Sequence, residues 1–196
     1  MYKINEIFHS LQGEGYHSGT PAVFVRFSGC NLRCAFCDTQ HQNGTMMSLQ
    51  AIVDEVNKFP SAPLLVLTGG EPSLFIDEPF VEELKQKTGK TIAIETNGTR
   101  PLPDNLDWVT LSPKTSFDGG DLEPCVLRRC DELKVVWQWQ DLSQYDRIEA
   151  KHRFLQPCFS DDETQRQVNM KSCVEAVMRH PNWRLSLQIH RVLNIR

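Results

Sequence analysis

Short apolar runs that each break on a polar motif recur along this chain, and amphipathic stretches separate them. Ala22 to Phe27 runs into a cysteine-containing loop, Leu64 to Leu67 into Thr68-Gly69-Gly70-Glu71-Pro72, and Thr91 to Glu95 into Thr96-Asn97-Gly98. Trp108 to Leu111 precedes Ser112-Pro113-Lys114, Leu133 to Trp137 precedes a polar stretch, and His152 to Leu155 precedes Gln156-Pro157; a last run spans Arg184 to Ile189. Between them, Ser48 can cap a helix whose Leu49, Ile52, Val53, Val56 and Phe59 follow a 3.6-residue period. Gly89 offers a stop for a helix carrying Phe80, Val81 and Leu84, and Glu163 to Met178 reads as a long late helix. Strands alternating with helices predict βα units around a parallel sheet. In such folds ligands gather at the carboxyl ends of the strands, where the loops converge, so the polar motifs are expected on one rim. About six units are too few to close an eight-stranded barrel, and the expected class is α/β with a shortened, partial (β/α)6-type barrel. With 196 residues, 40% of them apolar, the chain suits one buried core, and a single domain over 1–196 is expected.

One of these strand-end loops carries most of the chemistry. Cys30, Cys34 and Cys37 stand as C-x3-C-x2-C in Gly29-Cys30-Asn31-Leu32-Arg33-Cys34-Ala35-Phe36-Cys37-Asp38-Thr39. Three thiolates on one short loop can hold three irons of a [4Fe–4S] cube, which ordinarily takes four protein thiolates. The fourth iron is then open to an exogenous ligand. A structural zinc site is the alternative; it closes with four ligands, and His41 lies close enough in sequence to be the fourth. Cys125, Cys130, Cys158 and Cys173 show no comparable clustering and read as buried or free thiols.

Composition excludes several classes. An odd cysteine count of seven, with no charged-then-apolar leader at the N-terminus, argues against a secreted disulfide framework and for reduced thiols in a cytoplasm. No apolar run approaches the roughly 20 residues of a membrane span. A net charge of −4 gives no basic surface for a phosphate backbone, so neither nucleic acid nor membrane is an expected partner.

The cysteine spacing, the aromatic Phe36 before the last cysteine and the Thr68-Gly69-Gly70-Glu71-Pro72 turn together resemble the radical S-adenosylmethionine (SAM) superfamily, which uses partial barrels of this kind. Within it, the opening stretch Phe8-His9-Ser10-Leu11-Gln12-Gly13-Glu14-Gly15-Tyr16 resembles the 7-carboxy-7-deazaguanine synthases of 7-deazapurine (queuosine precursor) biosynthesis. The similarity continues through Pro21 to Arg26, the cysteine loop, the Gly-Gly-Glu-Pro turn, Ile94 to Thr99, Ser112 to Lys114, Leu155 to Pro157 and Trp183 to Gln188, spanning almost the whole chain in the family's order.

That resemblance implies a lyase that contracts the ring of 6-carboxy-5,6,7,8-tetrahydropterin to 7-carboxy-7-deazaguanine with loss of ammonia. The cluster on Cys30, Cys34 and Cys37 would cleave SAM to a 5′-deoxyadenosyl radical, and SAM would be regenerated. Cofactor contacts are implied for Phe36, Asp38, Gly69, Gly70, Glu71, Glu95, Ser112, Pro113, Lys114, Gln156 and Pro157. Substrate contacts are implied for Leu11, Gln12, Gly13, Glu14, Arg26, Thr68 and Arg196. Chemistry agrees at several of these: a planar guanidinium at Arg26 suits a carboxylate, and Glu14 can accept from ring N–H groups. The family further implies Mg²⁺ at the Thr39 hydroxyl, a hard-oxygen site that leaves most ligands to water, together with a flavodoxin-like electron donor and a homodimer.

Two places depart from the family. Cys158-Phe159-Ser160 follows Gln156-Pro157 where relatives often have a smaller or more polar continuation, and the stretch from His41 to Met47 is short. The competing readings are a radical SAM activase that makes a glycyl radical on a partner protein, and a non-enzymatic iron–sulfur or zinc module. The activase has no evident use for Arg26 together with Gln12-Gly13-Glu14.

Overall fold

The computed structural model describes residues 1–34, 37, 39, 42–114 and 123–196. Phe36, Asp38 and His41, singled out above, lie outside the described residues. Nine strands form one open sheet in the order β3-β1-β2-β4-β5-β6-β7-β8-β9. They are β1 Tyr2–Leu11, β2 Pro21–Phe27, β3 Thr45–Met47, β4 Leu64–Gly69, β5 Thr91–Thr96, β6 Trp108–Leu111, β7 Arg129–Trp137, β8 Glu149–Pro157 and β9 Arg184–Leu185. From β2 through β9 each neighbouring pair is parallel, while β1 pairs antiparallel with β2 and with β3. The sheet does not close, as a partial barrel requires.

The helices begin and end where the local chemistry dictates. Ser48 accepts from the Ala51 N–H to start α1 Leu49–Val56, which stops a turn before the apolar period does, so Phe59 packs from the following turn. Asp77 caps α2 Glu78–Thr88, and Gly89 ends it in the left-handed conformation at φ 64°. Asp162 caps α3 Glu163–Arg179. The run from Arg184 is strand for two residues only; Ile189 instead opens the short helix α4 Ile189–Leu193, its N–H bonded to the Gly13 carbonyl. β7 and β8 are longer than their apolar runs because the polar segments Arg129–Glu132 and Glu149–His152 pair with each other.

Alternation along the parallel strands separates two environments. Val23, Val25 and Phe27 of β2, Leu65 and Leu67 of β4 and Ile92 and Ile94 of β5 face α1 and α2 in one core, and Leu133, Val135 and Trp137 of β7 join the core that contains Cys173 and Ala176 of α3. The opposite, concave face begins apolar, with Ala22, Phe24, Leu64, Val66 and Ala93 packed together. One step further along each strand it turns polar. Arg26 is in register with Thr68, Glu95 with Thr110, and Thr110 with Glu132. An apolar layer thus underlies a polar ring, and the ring opens toward the strand ends where the motifs lie.

The loop 12–20, between β1 and β2, crosses the concave side. Its two ends are tied by hydrogen bonds from Gln12 N to Thr20 O and from Gly19 N to Gln12 O, each 2.8 Å. Tyr16 stacks on His152 at 4.3 Å and on Trp108 at 4.9 Å, and its N–H donates to Glu132. A residue between the first two strands therefore rests on the sixth and eighth, which shows how far the sheet curls.

Candidate active site

At the carboxyl end of β4 the backbone packs directly on the cysteine loop. Gly70 N donates to Phe27 O at 3.0 Å and Glu71 N to Gly29 O at 2.9 Å. A Cβ on Gly70 would lie 1.9 Å from the Gly29 carbonyl oxygen, and Gly69, at φ 126°, would place one 2.4 Å from Phe27 N and O. Only glycine allows this approach. Cys30 and Cys34 are partly buried and Cys37 is exposed; Cys37 N donates to Cys34 O, and the Cys30 sulfur accepts from Leu32 N. Burial raises the thiol pKa of both Cys30 and Cys34, with nearby Lys114 drawing Cys34 back down. Among the described residues no three His, Cys, Asp or Glu side chains converge on a point as ligands of one metal ion would. A cube asks for something else, one thiolate on each of three separate irons. Three thiols lining one cavity, with glycine backbone pressed against their loop, fit that demand.

Glu71 is 1% exposed, and its carboxylate turns inward. It accepts from Thr96 Oγ1 at 2.7 Å, from Asn97 N at 2.7 Å and from Ser73 N at 3.1 Å, so it fastens the end of β5 to the end of β4. What this turn offers a ligand is backbone. Asn97 donates to Asn31 Oδ1, and Asn31 donates to Thr99 Oγ1 at 2.8 Å, which ties the cysteine loop to the same strand end.

Across the cavity lies a buried charge cluster. Lys134, on the inner face of β7 and 6% exposed, donates to Glu14 Oε2 at 2.6 Å and approaches Glu95 Oε1 at 3.3 Å. Gln188 donates to the other Glu14 oxygen at 2.8 Å. Burial alone would raise the Glu14 pKa, but attraction to Lys134 and the bonds from Lys134 and Gln188 bring it to about 2. Lys134 is likewise disfavoured as a cation by burial, yet Glu14, Glu95 and Glu132 together raise its pKa. Glu132 is shifted up by burial, against the pull of Lys134. Glu95, expected beside the cofactor, also accepts from Gln12 Nε2 at 3.2 Å and Thr68 Oγ1 at 2.9 Å, and so shares its contacts with residues expected beside the substrate.

The other expected residues surround the same space. Arg26 donates to Glu6 at 2.9 Å and to Thr39 Oγ1 at 3.4 Å. Glu6 also pairs with Arg196, whose carbonyl accepts from Ser10. Lys114 donates to Ser112 Oγ at 2.5 Å, and burial lowers its pKa. Gln156 accepts from Ser186 Oγ at 2.9 Å, and Ser186 in turn accepts from Gly15 N. His190 covers Gly13 so closely that a Cβ there would meet Nδ1 at 2.2 Å. Cys30, Arg26, Glu14, Glu95, Lys114 and Gln156 are thus walls of one cavity of about 1960 Å³, to which Leu11, Thr68 and Pro157 also contribute; Pro113 is buried beside it.

Sequence reasoning missed Lys134, Glu132, Glu6 and Gln188. The signal for the first two was present: Glu132 and Lys134 alternate with Leu133 and Val135, and charges at every second position of an apolar strand point to a polar inner face.

Comparison with known proteins agrees with this architecture. The pattern of the Radical SAM superfamily matches residues 24–133. The 7-carboxy-7-deazaguanine synthase of Bacteroides thetaiotaomicron is 55% identical over 196 residues, covering all of both chains. That of Burkholderia multivorans is 38% identical over 217 residues, covering 99% of each. The crystal structure of QueE from Escherichia coli superposes with a TM-score of 0.74 at 30% identity, covering 95% of this chain and 93% of that one. The chain belongs to the 7-carboxy-7-deazaguanine synthase family of the radical SAM superfamily.

Proposed function

We propose that the chain converts 6-carboxy-5,6,7,8-tetrahydropterin to 7-carboxy-7-deazaguanine and ammonia, working as one domain over 1–196. The observation that carries this reading is a single cavity joining the three-thiol loop to a guanidinium at Arg26 and an ionised acceptor at Glu14. A substrate with a carboxylate at one end and N–H donors at the other matches those two groups. When bound, the [4Fe–4S] cluster and SAM that the superfamily uses supply a primary carbon radical.

The chain's own residues bind and orient. Cys30, Cys34 and Cys37 would hold the cluster, with cofactor contacts proposed for Phe36 and Asp38, their neighbours in sequence. Backbone at Gly69, Gly70 and Glu71 would meet the amino-acid end of SAM, Ser112, Pro113 and Lys114 would serve its carboxylate and ribose, and Gln156 and Pro157 its adenine. Glu95 would serve the cofactor while touching the substrate residues Gln12 and Thr68. Leu11, Gln12, Gly13, Glu14 and Thr68 would hold the pterin, with Arg26 and Arg196 for its carboxylate. Thr39 Oγ1, a hard oxygen beside Arg26, would serve Mg²⁺ if the substrate carboxylate and water complete the shell. A flavodoxin-like donor, a homodimer and a cytoplasmic setting complete the proposal; no helix among the described residues is long and apolar enough to cross a membrane.

The test is anaerobic incubation of reconstituted protein with SAM, Mg²⁺, reductant and 6-carboxytetrahydropterin, read by mass spectrometry. Formation of 7-carboxy-7-deazaguanine without stoichiometric loss of SAM supports the reading. Accumulation of 5′-deoxyadenosine over untouched pterin would turn it toward the activase. In the same assay Arg26→Ala is expected to raise the pterin KM by about 30-fold or more, the worth of a charge-assisted pair of hydrogen bonds. Arg26→Lys should recover only part, since a point charge cannot bond both carboxylate oxygens in one plane.

A further inference from the structure

We propose that Lys134 is a positioning residue for substrate recognition, its ammonium clamped between Glu14 and Glu95 so that the Glu14 carboxylate is fixed to accept paired N–H groups from the substrate's heterocycle. The inference deepens the function proposed above and rests on it.

Geometry carries it. Glu14 belongs to the loop 12–20, which has no ladder of its own to fix a side chain. Lys134 belongs to the middle of β7, paired with β8 on one side and β6 on the other, and its neighbours Leu133 and Val135 are anchored in the core with α3. The 2.6 Å bond from Lys134 therefore references a loop carboxylate to the rigid sheet. Its 3.3 Å contact with Glu95 prevents the ammonium from following Glu14 if the loop shifts. Lys134 and Gln188 each engage one oxygen of Glu14, and a carboxylate oxygen accepts at two positions. Among the described residues one position on each oxygen is left, enough for two donors of an amino-pyrimidinone edge.

The charged groups facing Glu14 and Lys134 are Glu95 from β5, Glu132 from β7, Lys114 beyond β6 and His190 from α4. With Lys134 present, Glu14 titrates near pH 2 and is an acceptor throughout the working range. Without Lys134, the burial that disfavours the anion loses its largest counterweight, leaving the bond from Gln188 and the charge of His190, so the pKa of Glu14 moves upward. Protonation at falling pH would then remove the acceptor, so substrate affinity should weaken as pH is lowered.

The experiment is calorimetric titration of anaerobically reconstituted protein with 6-carboxytetrahydropterin from pH 6 to 9, with initial rates in parallel, for wild type, Lys134→Met, Lys134→Arg, Glu14→Gln and the double variant Lys134→Met/Glu14→Gln. For Lys134→Met the pterin Kd and KM are expected to rise about 10- to 100-fold at neutral pH, the range for losing a charged hydrogen bond. The loss should shrink as pH rises, kcat should change less than KM, and Lys134→Arg should restore most of the affinity. If Lys134 acts through Glu14, the double variant binds pterin no worse than Glu14→Gln alone. Where Lys134→Met fails to fold, the double variant keeps the comparison, because Glu14→Gln removes the anion that Lys134 holds at the shortest distance. Unchanged affinity and pH profile in a cluster-loaded Lys134→Met, or additive losses in the double variant, would overturn the assignment. Wild-type protein that neither binds nor turns over the pterin would instead overturn the functional reading, and this inference with it.

Discussion

Gly70→Ala is expected to give a chain that keeps its sheet but assembles little iron–sulfur cluster and cleaves almost no SAM. The added methyl would sit 1.9 Å from the Gly29 carbonyl oxygen and 3.0 Å from Cys30 N, and both partners are backbone, so no side-chain rotation relieves the clash. The hydrogen bonds that hang the loop on β4, Gly70 N to Phe27 O and Glu71 N to Gly29 O, must lengthen or break. Overpacking of this kind costs about 1–3 kcal/mol in stability, which a domain of this size can survive. The proposed chemistry would tolerate less, since displacing Cys30 by about an ångström would move one ligand of a cube whose other two would come from the same loop. Iron and sulfide per chain after reconstitution, with 5′-deoxyadenosine formation, measure the effect. Wild-type values in both would show that the close approach is not what places the loop.

Cys34→Ala should be more severe, with iron falling far below four per chain and product dropping below detection. In the proposed cube, removing one thiolate would leave two irons unsupported by protein where the wild type would leave one. Cys173→Ala is the contrasting control. Cys173 is buried against the strands beneath α3, where burial raises its thiol pKa to about 12, so it is a packing thiol and its loss should leave iron content intact. Elemental analysis of both variants, with zinc counted alongside iron, decides between the cube and a closed zinc site.

The concave site was legible in the sequence where strand alternation and motif coincide. Arg26 and Thr68 each end an inner-face series of a strand that was found from its apolar run, and the glycines after Leu67 marked the close approach. Less legible were elements whose partners lie far away. β1 was not identified as a strand, because Tyr2–Leu11 mixes polar and apolar residues and is half exposed on its outer side; its order comes from pairing with β2 and β3. Glu71 shows a different limit. Its place in the motif was plain, but the direction of its carboxylate depended on Thr96 and Asn97, which only the fold brings beside it. Lys134 could be read as inward-facing, whereas its three acidic neighbours come from a loop, β5 and β7 itself. Removing one partner from such a buried set strands a charge at a cost of about 3–5 kcal/mol, so the cluster is also a point at which the fold is vulnerable.

The hydrogen bonds to Glu14 span long stretches of chain. Lys134 is 120 residues away and Gln188 is 174. The contacts that seat the cysteine loop on β4 and β5 close within fewer than 70 residues. During synthesis from the N-terminus, the half of the cavity that faces the cluster can take shape while the later strands are still being made. The half proposed to grip the heterocycle must wait until Gln188 has been made, since closing longer loops costs more entropy and slows formation of the contacts they bring together. A cluster held as proposed by Cys30, Cys34 and Cys37 could therefore form before the rest of its cavity, and keeping the nascent chain cluster-free until α4 has docked on Gly13 would be a task for the order of maturation.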